Sequence, residues 1–292
     1  MRKYELSNIV NQRMFDVKEF PEHIAVSTND RYVPECKEMF AQVEHKAISR
    51  AFTIWGTDAM IIEAVEKYSL LTADMISCIT DISDISHLLS RMQNLVDANY
   101  LDKYIFSNDG ESITGVAYSL GYRGKGYLKS QGLRPKWDGF VREMNALSAR
   151  KWLAACNFVV LHPDISDYSM RKIINSQKNR IRNGKVFRAY AMFNEDDTAY
   201  IVEPVRIDED SDEELLDKLF RIKSTIHTKY CNVKSENYKV ILLCENPFHM
   251  AHIRRLVHNK KYNFELLFTY DGTEELYKEP KNFSVWHWLI GA

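Results

Sequence analysis

The sequence predicts an α+β chain in two parts, and three observations lead there. Between Thr57 and Leu128, three short helical patterns run into two β-type stretches separated by Asn108-Asp109-Gly110. From about residue 136 onward, helices and strands alternate. Hydrophobic residues make up 45% of the 292 residues, with only 11 Gly and 7 Pro, so the chain can build real cores and has little linker.

Residues 1–56 form an N-terminal extension that reads as partly helical. KYELSNIVNQRMFDV fits a helix, HIAVSTNDRYV fits a short strand with its turn, and VPECKEMFAQVEHKAISRAF fits a helix from Pro34 onward. The extension is expected to pack on the next domain or on a partner subunit.

Residues 57–135 carry the clearest pattern. Thr57 and Asp58 are good capping residues, and Met60, Ile61, Ala64, Val65 and Tyr68 follow at helical spacing. Thr72 starts a second helix whose Met75, Ile76 and Ile79 form one stripe. The pattern breaks at Asp81-Ile82. Ser83 then opens a third helix with Ile85, Leu88, Leu89, Met92, Leu95 and Val96 on its core side. YLDKYIF and ITGVAYSL follow as a hairpin across the Asn-Asp-Gly turn. Three helices closed by such a hairpin are the layout of a winged helix-turn-helix domain, which holds one helix against a DNA groove. The third helix turns Ser83, Ser86, His87, Ser90, Arg91, Gln93 and Asn94 away from its core side. Arg, Asn and Gln can each bond a base edge twice, and Ser reaches bases or phosphates. Lys103 on the wing is expected to touch the DNA backbone, with Arg123 and Lys125 of the glycine-punctuated GYRGKGYLKSQG assisting. The same layout also serves for dimerisation or protein docking. The third helix has one Arg beside Asp84 and Asp97, and a strong nucleic-acid binder usually carries more positive charge.

A formal net charge of −1 means that any DNA binding rests on local patches and is salt-sensitive. Five cysteines occur singly with no CxxC pair, which argues against a structural zinc and suits a reducing cytoplasm. The N-terminus lacks an apolar signal core, and no run approaches the ~18 apolar residues of a membrane span. A soluble cytoplasmic protein without membrane contact is expected.

Residues 136–292 read as an α/β domain. DGFVREMNALSARKWLAACNF is a long amphipathic helix, and KVFRAYAMF and TAYIVEPVRI are strands joined by the turn NEDD. DEELLDKLFRIKSTIHTKY is a helix with acids in its first turn, where the helix dipole favours them. YKVILLCE is a strand buried on both faces, PFHMAHIRRLVHNK a helix and FELLFTY a last strand. The alternation implies a central mixed sheet covered by helices.

"LLTADMISCIT", "LLSRMQNLVDANYLDKYIF", "VAYSLGYRGKGYLKSQG", "KVFRAYAMF", "AYIVEPVRI" and "KVILLCENPFHMAHIRRL" together resemble the replication-relaxation family, over roughly Ile54 to Tyr270. Those proteins occur on plasmids, conjugative elements and phages of Gram-positive bacteria. The resemblance implies DNA binding in plasmid or mobile-element maintenance, acting in replication, transfer or transcriptional control. It also implies a second domain related to the PD-(D/E)xK, restriction-endonuclease-like fold. That chemistry needs an Asp ending one strand, and an acid and a Lys on the next, to hold a divalent metal. Here Arg188 or a neighbour stands where the Asp belongs, Glu203 can fill the acidic position, and Val205 followed by Arg206 takes the Lys position. Asp196 and Asp197 lie in the turn, and Glu143 stands alone. The expectation is a catalytically inactive domain with Glu203 as a vestige, and neither metal nor cofactor. Alternatively, Glu203 is an exposed strand residue or an ion-pair partner, or the chain is a metal-dependent nuclease with a rearranged site.

The stretch from Ser169 to Arg188 gathers Arg171, Lys172, Lys178, Arg180, Arg182, Lys185 and Arg188 without an acid. It either grips phosphates, with Arg180 and Arg182 as candidates, or pairs with the acidic run from Asp208 to Glu214. His249, His252, His258 and His287 read as surface or helix-end residues. The aromatic tail FSVWHWLIGA is expected to dock on its own domain or in a homodimer partner. The expected partners are double-stranded DNA and a second copy. A protein of the replication or transfer machinery is the partner on an adaptor reading.

Overall fold

The structure, a computed structural model, describes residues 24–26, 39–43, 52–107, 113–135, 140–163, 165, 168–170, 172–175, 186–206, 212–226, 231–235, 237–271 and 277–278. The architecture is mixed α and β throughout. The chain divides into two compact units that meet in sequence at Cys156 and Asn157.

In the first unit, three helices precede a hairpin: α1 (Gly56–Tyr68), α2 (Ala73–Thr80) and α3 (Ile85–Asp97). Each begins where a side chain takes up orphan amides. The Asp58 carboxylate accepts from Trp55 N at 2.9 Å, Thr72 Oγ1 from Met75 N at 3.4 Å, and Asp84 Oδ1 from His87 N at 3.0 Å. Asp84, rather than Ser83, therefore caps α3. Asp81 stops α2 by turning left-handed, with φ of 56°. Between α1 and α2, Leu71 makes a two-way antiparallel bridge with Tyr118, at 3.0 and 2.8 Å, which ties the helices to the hairpin.

Two strands come before these helices, β1 (Ile24–Val26) and β2 (Met39–Val43). The hairpin itself is β3 (Leu101–Ser107) and β4 (Ile113–Leu120). Together they form a four-stranded antiparallel sheet ordered β1-β2-β3-β4. β1 lies within the stretch read as a short strand. β2 corrects the helix expected from Pro34 onward. Phe40 pairs with Phe106 and stacks on Tyr104 with centroids 5.0 Å apart, so cross-strand aromatic packing overrides local helix preference. KYELSNIVNQRMFDV lies outside the described residues.

The glycine-punctuated GYRGKGYLKSQG contains α4 (Tyr122–Ser130). Two of its glycines, Gly121 and Gly124, are there for close approach. A Cβ on Gly124 would overlap the Tyr100 carbonyl oxygen, and one on Gly121 would lie 2.7 Å from that of Asn99. The long helix expected over residues 138–158 is two pieces, a short 3-10 helix at Phe140–Glu143 and α5 (Ala146–Leu161). Asn145 interrupts them, because its side-chain oxygen accepts from Ser148 N at 2.8 Å and caps α5. Trp152 Nε1 donates to the Tyr68 carbonyl at 2.9 Å, so α5 as far as Cys156 belongs to the first unit and the boundary falls later than residue 136.

The second unit is built on a six-stranded mixed sheet. KVFRAYAMF, read as one strand, breaks at Ala189-Tyr190 and contributes only its end to that sheet. Its first part is β7 (Val186–Arg188), paired with β6 (Ile173–Asn175), and Ala189 N donates to the Lys172 carbonyl at 3.0 Å. In the main sheet, β9 (Thr198–Pro204), β10 (Asn237–Cys244) and β11 (Glu265–Tyr270) are parallel. β8 (Ala191–Glu195), β5 (Tyr168–Met170) and β12 (Tyr277–Lys278) join antiparallel, giving the order β12-β11-β10-β9-β8-β5. The connections between the parallel strands contain α6 (Asp212–Ile226) and α7 (Pro247–Val257). Leu219 and Ile222 of α6 and Met250 and Ile253 of α7 share one core with Ile201, Val240, Leu242 and Phe268 of the sheet. No helix among the described residues is long and apolar enough to cross a membrane.

Candidate nucleic-acid interface

Helix α3 has two faces with different chemistry. Leu88, Met92, Leu95 and Val96 are buried and anchor it. Ser86, His87, Ser90 and Asn94 are exposed or half-exposed, and Ser83 is exposed just before the cap. Residues 86, 90 and 94 follow one another at a spacing of four, so they make a single row along the helix. That row is polar and uncharged.

The charged residues of the helix have other employment. Helical spacing alone turns Arg91 outward, and the structure corrects this. Its Nε donates to Asp58 Oδ1 at 2.9 Å and its Nη2 to Asp58 Oδ2, a forked ion pair between α3 and α1. Asp58 is fully buried, whereas the Arg91 side chain is 21% exposed. The guanidinium also lies 5.7 Å from the centre of the Phe52 ring. Arg91 thus neutralises a buried carboxylate and sets the helix in place, which removes it from the outward row. Gln93 is half-buried in a chain of contacts. Its Nε2 donates to Asp97 Oδ1 at 2.8 Å, and its Oε1 accepts from Lys103 Nζ at 3.5 Å. Lys103 of β3 is thereby drawn toward α3.

The C-terminal end of α3 is held by α4. Gly121 N donates to the Tyr100 carbonyl and Arg123 N to that of Asn99, both at 2.9 Å. Arg123 Nη1 donates to the Ala98 carbonyl at 3.3 Å, and its guanidinium sits 5.1 Å from the Tyr100 ring centre. A cation at a helix C-terminus is favourable, because the carbonyls there carry partial negative charge. Lys125 is half-buried, and burial together with Arg142 lowers it to about 8. Arg142 donates to the buried Asp102 at 3.1 Å.

Of the positions weighed for nuclease chemistry, Glu143 lies in the first unit and the others in the second. Glu203 is buried near the end of β9 and pairs with Lys218 of α6, the ion-pair alternative rather than an exposed strand residue. Arg206 and Asp271, both buried, form a second pair at 3.3 Å. Burial holds the Asp271 carboxyl up, at about 7, against the pull of Arg206. Arg188 is exposed on β7. No group of three or more His, Cys, Asp or Glu side chains suited to a metal occurs among the described residues. His249 is buried, and its Nδ1 accepts from Glu245 N at 3.3 Å; His252 pairs with Asp212 at 3.0 Å. Arg180, Arg182 and the C-terminal FSVWHWLIGA lie outside the described residues.

Sequence reasoning missed Asp58 as the partner of Arg91, because the two stand 33 residues apart. It also missed Arg142 as a neighbour of Lys125, which nothing in the local spacing signals.

No protein-family model and no curated protein matches the chain. Among solved structures, the crystal structure of protein VC1899 from Vibrio cholerae is similar over 75% of this chain and 52% of that one, with 11% identity and a TM-score of 0.29. The chain therefore spans about half the length of that protein, and so slight a likeness assigns neither fold nor function.

Proposed function

We propose that the chain binds double-stranded DNA, with the segment from α1 to β4 acting as a winged helix and α3 as the helix that enters the major groove. The supporting observation is the outward, uncharged row Ser86, Ser90 and Asn94, with His87 beside it, on a helix whose other face is locked by core packing and by Arg91. Short polar side chains on a rigid helix are what base reading requires. Asn94 can bond an adenine edge twice, and Ser83 and Ser86, at the start of the helix, can reach phosphates or bases. The bridge between Leu71 and Tyr118 fits this reading, since it joins the helices to the hairpin as one body. On the same reading the chain works in replication, transfer or transcriptional control of a mobile element, as its resemblance to the replication-relaxation family implies. Two copies bind together on a site with two-fold symmetry.

The test is fluorescence anisotropy with a random-sequence duplex across a salt series. Binding that weakens steeply with salt supports the reading. No binding at low salt overturns it.

A second reading, a protein-docking adaptor, draws on the net charge of −1 and on the absence of Lys and Arg from the outward row. Stoichiometric capture of a protein partner by a chain that does not bind DNA would favour it.

A further inference from the structure

Cations gather on the helix that follows the hairpin. Lys125 and Lys129 stand four apart on α4, so they share a face, and Lys129 is exposed. Arg142 of the 3-10 helix, paired with Asp102 and with a side chain 48% exposed, is near enough to act on Lys125. The charged groups that act on Lys125 are Arg142, Asp102 from β3, Lys129 and Glu66 from α1. Three cations thus stand with two carboxylates, and Asp102 is shared with Arg142. Tyr104, pushed up to about 12 by burial and by Asp102, stays neutral.

Burial first, and then Arg142 and Lys129, disfavour the charged form of Lys125, while Asp102 and Glu66 favour it; an anion arriving on the surface adds to the favourable side. The location is fixed as well, because Gly121, Arg123 and Gly124 clamp α4 to the backbone at Asn99 and Tyr100, where α3 ends. We infer that the face of α4 carrying Lys125 and Lys129, together with Arg142, contacts backbone phosphates of duplex DNA beside the C-terminal end of α3. The inference rests on the reading of α3 as the groove helix and adds to it a gripping surface separate from the reading one. It also carries a pH signature. Lys125 loses its proton near pH 8 in the isolated protein, and a bound phosphate favours the charged form, so binding takes up a proton.

The experiment uses the full chain and a labelled duplex in anisotropy titrations over a salt series, at pH 7.5 and pH 9.0. Wild type is compared with Lys125→Gln/Lys129→Gln, Lys129→Gln alone and Lys125→Arg, each checked for folding by circular dichroism. The double variant should show a salt slope shallower by about 0.9 for each phosphate that is no longer neutralised. Wild type should bind several-fold more weakly at pH 9.0 than at pH 7.5, and Lys125→Arg should not. If the double variant fails to fold, Lys129→Gln and Lys125→Arg carry the same test. Wild-type binding with an unchanged slope in the glutamine variants overturns this inference alone. Absence of any duplex binding by wild type overturns the α3 reading along with it.

Discussion

Helices α3 and α4 touch at Asn99 and Tyr100, and they spend their charged residues differently. On α3, Arg91 is committed to Asp58 and Asp97 to Gln93, while Asp84 just ahead of it caps the first turn. What remains outward is neutral and short. On α4, Arg123 holds the end of α3, while Lys125 and Lys129 share a face near Arg142, which is itself paired with Asp102. A charged residue at a plausible contact position on a helix therefore need not be a contact. On α3 the charges hold the helix in place, and on the proposed reading the uncharged residues are left to meet bases. On α4 the charges are accumulated where a polyanion would offset them.

The contrast between the two helices is most exposed at Arg91. Arg91→Ala leaves Asp58 buried without its cation and should cost about 3 kcal/mol of stability, measured by urea denaturation. Replacing both partners should cost less than the sum of the single changes, a coupling that a double-mutant cycle reads directly. Gly124→Ala comes next. Its Cβ would meet the Tyr100 carbonyl, so α4 must shift away from the end of α3 at a cost of about 1–3 kcal/mol, and the thermal midpoint falls accordingly.

Asn94→Ala probes the outward row instead. Stability should stay within about 0.5 kcal/mol, because Asn94 is exposed. Discrimination between a selected site and its single-base variants should fall by about 1–3 kcal/mol, read from competition titrations.

The smallest effect belongs to Lys125. Its folded value of about 8 lies below its ordinary 10.5, so the unfolded chain binds more protons between those two pH values. Stability therefore rises with pH across that window, and the penalty is fully present below pH 8. Lys125→Gln should melt higher than wild type at pH 7, and the gap should close as pH approaches 10.5.

The helices of the first unit are legible where a local signal fixes them. Thr72 caps α2 as its position predicts, and the apolar periodicity of α3 marks out its buried face. In the second unit the alternation of apolar runs places α6, β10, α7 and β11 in order. Elements set by distant partners are not legible. β2 looks helical until Phe40 finds Phe106 and Tyr104. Gly121 and Gly124, which speak against a helix there, are the residues that let α4 approach the backbone at Asn99 and Tyr100. Arg91 stands at the edge of the outward side of α3, and only Asp58, far away in sequence, decides which way it turns. The same holds for Arg206 and Asp271, which stand 65 residues apart and come together only because β9, β10 and β11 are parallel.

The most direct test sets Arg91→Ala against Asn94→Ala on one selected duplex, at a temperature where circular dichroism shows both variants folded. Asn94→Ala should bind the duplex with reduced affinity and relaxed sequence preference, while Arg91→Ala keeps the wild-type sequence preference. Loss of specific binding in Arg91→Ala with Asn94→Ala unaffected would contradict the assignment of α3's outward row as the reading surface.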